Sequence, residues 1–283
     1  MQILKLDGLC KQYPAFRLEN VSFSMEAGTI MGLIGRNGAG KTTTLKSMLH
    51  LVHPDAGTVT ICGLDMDKDE REIRSRIGFV SGGASYYQRK RLRELTDVTK
   101  RFYPGWDDGR YACLVRQFSL DESKRVCELS EGMKVKYQLA AAMSHRAELL
   151  ILDEPTSGLD PVSRDELLDT FRTLCEQEGV SILFSTHITS DLEACADTIT
   201  YIQHGRVAAS TDKKTWTWGY LLLQGSDAAC TPALRAACIG ARSHKGELEA
   251  LLRKEDAALA AGFALTPANL EQIMVHLERE AEA

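Results

Sequence analysis

The sequence predicts an α/β fold organised on a buried parallel sheet, and three stretches carry that prediction. Residues 29–34 form a short apolar run, and Gly35-Arg36-Asn37-Gly38-Ala39-Gly40-Lys41-Thr42 follows it. Residues 42–49 then read as helix, with Leu45, Met48 and Leu49 at helical spacing. Leu149-Leu150-Ile151-Leu152 is apolar throughout, as a strand covered on both faces requires, and it ends in Asp153-Glu154. Between these strands, residues from about 84 to 145 carry helical segments and few strand signals, which predicts a helical subdomain inserted into the α/β core.

Bulk properties narrow the class. The chain has 283 residues, enough for one or two domains with a large core. Charged residues make up 26% and the net charge is −5, which argues against a protein that coats nucleic acid. No apolar run approaches the roughly 18 residues of a membrane span. Met1-Gln2-Ile3-Leu4-Lys5 reads as a strand and not as a signal peptide. The eight cysteines include no C-x-x-C pair, so the expectation is reduced thiols in the cytosol, most of them serving as small core residues.

Taken in order, residues 2–7 and 21–25 alternate apolar and polar positions and are expected to pair as strands. Lys11-Gln12-Tyr13-Pro14 lies between them as a loop, and Tyr13 either packs there or stacks on a base. His53-Pro54-Asp55-Ala56-Gly57 is a turn, residues 58–62 a strand, 71–76 a short charged helix and 77–80 a buried strand. Arg89, Lys90, Arg91 and Arg93 form a basic cluster, either a solvated face or a contact with a partner near a membrane surface. Residues 163–178 read as a helix ended by Gly179, 180–185 as a strand, 190–196 as a helix and 198–203 as a strand. Beyond about residue 211 a small α+β extension follows. In it Trp216, Trp218, Tyr220 and Leu222 suggest a strand, and residues 247–261 an amphipathic helix. Thr266-Pro267 reads as a helix start before the stripe Leu270, Ile273, Met274 and Leu277. The extension either packs on the core or meets a partner subunit.

The chemistry sits at the strand ends. G-x-x-x-x-G-K-T between a strand and a helix is the setting in which a loop cradles phosphate. Gly35, Asn37, Gly38 and Gly40 lie in that loop, whose amides can turn inward, and the helix start adds partial positive charge. Lys41 is placed to reach β- and γ-phosphates, Thr42 to ligate Mg²⁺, and Thr43 to sit near an α-phosphate. Asp153 leaves its strand at the end where open α/β sheets bind ligands, so it is the expected Mg²⁺ partner. Glu154 can orient or deprotonate an attacking water. His187, in Ser185-Thr186-His187, follows the next strand and can sense a γ-phosphate. Ser130, in Leu129-Ser130-Glu131-Gly132-Met133, can cap a helix whose free amides form a second anion-binding end.

These motifs together resemble the nucleotide-binding subunits of ABC transporters. Gly35 to Thr42 is similar to their Walker A motif and residues 149–154 to Walker B with its catalytic glutamate. Leu129 to Met133 resembles the signature motif, here L-S-E-G-M. Ser157 to Asp160 matches the D-loop, His187 the switch histidine and Tyr13 the A-loop aromatic. The resemblance covers roughly residues 2–210. It implies a P-loop NTPase (RecA-like) core with an antiparallel β subdomain, so residues 1–210 are expected as the ATPase domain and 211–283 as the C-terminal extension. It also implies ATP and Mg²⁺ as ligands, with Glu154, His187 and Lys41 catalytic and Thr42 and Asp153 at the metal. Tyr13, Gly35, Asn37, Gly38, Gly40, Lys41, Thr42 and Thr43, with Ser130, Gly132 and Asp160, would hold nucleotide, with Ser130 and Gly132 reaching it from a second copy. Phe102-Tyr103-Pro104-Gly105-Trp106-Asp107 and residues 184–192 look like a bacterial exporter subgroup whose ATPase pairs with a separate permease. The implied partners are that transmembrane permease and an identical or related ATPase subunit, with no nucleic acid. The implied location is cytoplasmic, peripheral on the inner face of the cell membrane. The alternative is a soluble regulatory or translation-associated ATPase of the same family. A GTPase is disfavoured, since no N-K-x-D segment occurs. One departure stands out: Gly82 occupies the position where the family expects a glutamine near Mg²⁺.

Overall fold

A computed structural model of the chain describes residues 1–81 and 87–282. Gly82 therefore lies outside the described residues. The chain divides into two units, Met1–Ser210 and Thr211–Ala283.

The first unit opens with an antiparallel hairpin of β1 (Gln2–Tyr13) and β2 (Phe16–Glu26), which buries Leu4, Leu6, Leu9, Leu18, Val21, Phe23 and Met25. The strands run further than the sequence pattern suggests. Pairing continues to Tyr13 opposite Phe16, so the expected loop at Lys11-Gln12-Tyr13-Pro14 is strand closed by a two-residue turn. Register shifts between Leu6 and Leu9 and between Leu9 and Lys11 interrupt the alternation from which a strand is read, and this hides the continuation. After β3 (Ile30–Ile34) and α1 (Lys41–Met48), β4 (Ala56–Ile61) and β5 (Leu64–Asp65) complete a four-stranded sheet ordered β2-β1-β4-β5.

Helix α2 (Glu70–Arg76) leads into β6 (Ile77–Ser81). Helices α3 (Leu92–Thr99), α4 (Asp108–Gln117) and α5 (Glu131–Ser144) then form the helical insertion. The hydroxyl of Thr96 joins the three: it lies 2.7 Å from the Tyr111 hydroxyl and 3.1 Å from that of Tyr137. Arg89, Lys90, Arg91 and Arg93 are exposed, and Lys90 bonds Glu94, as a solvated face would.

The chain returns to the core at β7 (Leu149–Asp153). α6 (Pro161–Glu178) follows, closed by Gly179 in the left-handed region. β8 (Ser181–Thr186), α7 (Thr189–Cys195), β9 (Thr198–Gln203) and β10 (Arg206–Asp212) complete it. The six-stranded sheet is ordered β10-β9-β3-β8-β7-β6, with parallel pairing from β9 to β6. This order positions the site. β8 lies between β3 and β7, with Ile34 in register with Thr186 and Asp153 in register with Ser185. The end of β3 thus lies in one row with the ends of β7 and β8, which come more than a hundred residues later in the sequence.

The second unit contains α8 (Lys213–Trp218), β11 (Tyr220–Ser226), α9 (Pro232–Ala237), β12 (Ile239–His244), β13 (Glu247–Arg253), β14 (Ala264–Pro267) and α10 (Leu270–Glu282). Its antiparallel sheet is ordered β12-β13-β11-β14. Three expectations fail here. Trp216 and Trp218 belong to a helix, because Asp212 caps it by accepting from the Thr215 amide. The expected helix at 247–261 is β13 followed by a 3-10 turn at Lys254–Leu259. Leu248, Ala250, Leu251 and Leu252 form an apolar run that suits either state, and pairing with β11 and β12 decides it. Thr266-Pro267 ends an edge strand, where proline's missing N–H costs little. The last helix starts instead from Asn269, whose side chain accepts from the Gln272 amide while Gln272 accepts from the Asn269 amide. The stripe itself holds, with Leu270, Ile273 and Met274 buried.

All eight cysteines are free thiols, but only Cys195 and Cys238 are buried, and Cys113 and Cys127 are exposed, so most are not core residues. Among the described residues no helix is long and apolar enough to cross a membrane.

Candidate functional site

The loop after β3 is built to hold a charge. Gly40 caps α1 with φ +115°, and a Cβ there would meet Phe16 Cζ at 2.8 Å, so this position accepts only glycine without strain. Ala39 N donates to Arg36 O, Thr44 N to Gly40 O, and Gly205 N, from the turn between β9 and β10, to Ala39 O. These bonds fix the curl of the loop. Lys41, the first residue of α1, is buried, and its Nζ folds back to donate to Gly35 O at 2.8 Å and Arg36 O at 3.3 Å.

The same ammonium lies 3.2 Å from Glu154 Oε1. Glu154 follows β7 with φ +51°, a conformation that non-glycine residues adopt rarely and that clusters at functional sites. The bend is held from β8: Glu154 N donates to Ser185 Oγ at 2.9 Å and to Ser185 O at 3.2 Å. Glu154 Oε2 is paired with His187 Nδ1 at 2.8 Å. Lys41, Glu154 and His187 thus form one polar chain across the strand ends.

Asp153 is buried and carries two hydroxyls on one carboxylate oxygen. Thr42 Oγ1 donates to its Oδ1 at 3.1 Å and Ser185 Oγ at 2.7 Å. Ser185, fully buried, therefore donates to Asp153 and accepts from Glu154, and so sets the relative placement of the two acids. In sequence Ser185 is only the residue two before His187. The signal that could have found it is its register opposite Asp153 on a parallel neighbour, which requires the strand order to be known.

Tyr13, Ala15, Phe16, Asn37, Gly38, Gly40, Lys41, Thr42, Thr43, Glu154, Ser157 and His187 line one cleft of about 640 Å³. Phe16 is a second residue the sequence reading missed. It faces Tyr13 across the hairpin turn, and the visible signal was an aromatic at each end of Pro14-Ala15. Ser130, Gly132 and Asp160 do not line this cleft. Ser130 caps α5 by accepting from Met133 N at 3.3 Å and is itself exposed. Asp160 caps α6, accepting from the amides of Val162 and Ser163 and from the Ser163 hydroxyl, which holds its carboxyl below the ordinary value. The expected departure at position 82, glycine in place of glutamine, lies outside the described residues.

Thr42 and Asp153 offer hard oxygen donors, the kind Mg²⁺ selects, at a distance where both can face one ion. Among the described residues no group of three or more His, Cys, Asp or Glu side chains could hold a metal by itself. The donor set therefore fits an ion that arrives with phosphate oxygens.

Residues 18–157 match the family described as ABC transporter. The Nod factor export ATP-binding protein I of Burkholderia lata is 38% identical over 197 residues, 68% of this chain and 64% of that protein. The chain thus spans somewhat less than two thirds of that relative's length. The bacitracin transport ATP-binding protein BcrA of Bacillus licheniformis is 32% identical over 208 residues, covering 72% of this chain and 68% of that protein. A solved structure of an ATP-binding subunit of an ABC transporter superposes with a TM-score of 0.68 at 30% identity, over 75% of this chain and 91% of that one.

Proposed function

The chain belongs to the ABC transporter family, and we propose that it is an ATP-hydrolysing subunit that drives a separate membrane permease, in the export direction. The observation that carries the reading is the convergence of Lys41, Thr42, Glu154 and His187 on the cleft that Tyr13 also lines.

Triphosphate entering the cleft competes with Glu154 for the Lys41 ammonium. Once Lys41 pairs with phosphate, Glu154 is released to accept a proton from water as its oxygen attacks the γ-phosphorus, and ADP leaves. His187, in contact with Glu154, would hold that water and the phosphate in line. Thr42 and Asp153 would hold Mg²⁺, which supplies positive charge against the phosphates. Tyr13 and Phe16 offer faces for the adenine ring.

Ser130, Gly132 and Asp160 lie off this cleft, which supports a head-to-tail pair in which the start of α5 from one copy covers the nucleotide of the other. Closing and opening of the pair would move the permease between its two states. The relatives named for export support the direction of transport, and the subunit would sit on the cytoplasmic face of the cell membrane beside its permease. Purification of the tagged chain from native membranes tests this: a multi-span integral membrane protein should accompany it. Recovery of ribosomes without any membrane protein would favour the translation-associated alternative and overturn the transport reading.

A further inference from the structure

One buried carboxylate grips both turns that flank the Glu154–His187 pair. Asp191, in α7, has no exposed surface. Its Oδ2 accepts the Thr156 hydroxyl at 2.6 Å and the Thr186 hydroxyl at 3.3 Å. Thr156 is also fully buried and stands two residues after Glu154. Thr186 immediately precedes His187, and its Oγ1 accepts the Ile188 amide at 3.0 Å. On its other side, Asp191 Oδ1 lies 3.8 Å from Arg164 Nε of α6, and neither of these two buried atoms has a hydrogen-bond partner. Burial pushes the Asp191 carboxyl up, while the Thr156 bond and the Arg164 charge act the other way.

The placement matters because of Glu154. A non-glycine residue at φ +51° stays there only when its surroundings over-determine it. Ser185 holds the bend on the side of the Glu154 amide. On the far side, the fixed point is the Thr156 bond to Asp191. We propose that Asp191 is a positioning residue: it ties the turn after β7 to the end of β8, so that Glu154 and His187 keep one spacing and move as a unit. The inference rests on the hydrolytic reading above for its consequence, but the tie itself does not.

The test uses the full-length chain. Thr156→Val, which leaves Asp191 in place, should speed backbone hydrogen exchange at residues 186–191 as well as at 155–160. Faster exchange confined to 155–160 would overturn the tie. Asp191→Ala should lower kcat for ATP by about 10- to 100-fold while KM stays within about twofold, since misplacement by about an ångström costs on that order. Asp191→Asn, whose amide oxygen still accepts both hydroxyls, should recover most of the loss. An unchanged kcat in Asp191→Ala, or a rise in KM that accounts for the whole loss, would overturn the positioning role. If the wild-type chain turns over no ATP, the hydrolytic reading fails, and the exchange result still decides the tie.

Discussion

Glu154→Gln separates the two roles proposed for one side chain. Glu154 Oε1 lies 3.2 Å from Lys41 Nζ. At an effective dielectric of about 20 two unit charges at that separation attract by about 5 kcal/mol. Lys41 is only 5% exposed but Glu154 is 21% exposed, and the ammonium keeps its bonds to Gly35 O and Arg36 O. The net worth of the pair is therefore nearer about 1–2 kcal/mol, once the attraction is discounted for solvent screening at Glu154 and for the bonds the ammonium keeps. ATP must displace this pair to reach Lys41. Glutamine keeps the size of the side chain and removes the competing charge, so ATP affinity should rise by about 5- to 30-fold. Turnover should fall by at least about 100-fold, because no carboxylate remains to take the proton. The measurements are equilibrium binding of ATP with Mg²⁺, steady-state phosphate release, and gel filtration with ATP, where a stable dimer should appear. Weaker ATP binding in Glu154→Gln would refute the competition between Glu154 and phosphate. Hydrolysis at the wild-type rate would refute the catalytic role.

Three further outcomes follow from the same geometry. Gly40→Ala should cost about 1–3 kcal/mol, because φ +115° is strained for alanine and Phe16 must shift, and ATP binding should weaken in titration calorimetry while the rest of the fold survives by circular dichroism. Burial pushes the His145 imidazole below its ordinary value of 6.5, so the unfolded chain binds the extra proton first and stability drops as pH falls below about 6.5, by at most about 1.4 kcal/mol per pH unit. His145→Phe, which can keep the stack on Tyr103 at 3.8 Å, should flatten that part of the plot of Tm against pH. Mixing Lys41→Ala chains with Gly132→Asp chains, each inactive alone, should restore roughly a quarter of wild-type turnover through hybrid dimers with one intact site; no recovery would mean that this chain does not complete its site with a second copy.

The parts of the fold that were legible in the sequence share a physical property: one local signal was enough. Leu149 to Leu152 is wholly apolar and wholly buried, and Gly179 ends α6 because glycine adopts φ +68° without strain. The parts that were not legible depend on partners distant in sequence. Leu248 to Leu252 suits a helix or a strand until β11 and β12 supply the pairing. The hairpin of β1 and β2 carries bulges that break its alternation. The site shows the same division. Lys41, Thr42, Asp153, Glu154 and His187 stand in recognisable motifs, whereas Ser185, Phe16 and Asp191 gain their roles only from strand register, a hairpin turn and a buried contact. A serine or aspartate outside a motif looks like any other polar residue until the carboxylate or hydroxyl opposite it is known.

Gly132, in the first turn of α5, is buried, and a Cβ there would lie 3.6 Å from Leu159 Cδ2 and 3.8 Å from Ser163 Cβ. Leu159 belongs to the turn before α6, and Ser163 is the residue whose hydroxyl and amide Asp160 holds. The start of α5 and the start of α6 are therefore packed together within one chain. Their caps, Ser130 and Asp160, are spent on their own helix amides, so neither side chain needs a ligand to keep its helix end in place. In the proposed pair both helix starts would arrive at the partner's nucleotide as one pre-formed surface. The turn that carries Leu159 and Asp160 also carries Thr156, which Asp191 ties to the strand leading to His187. A chain that covers its partner's nucleotide would thereby feel that contact at its own Glu154 and His187. Loss of the Asp191 tie should then lower the cooperativity of hydrolysis between the two sites as well as its rate.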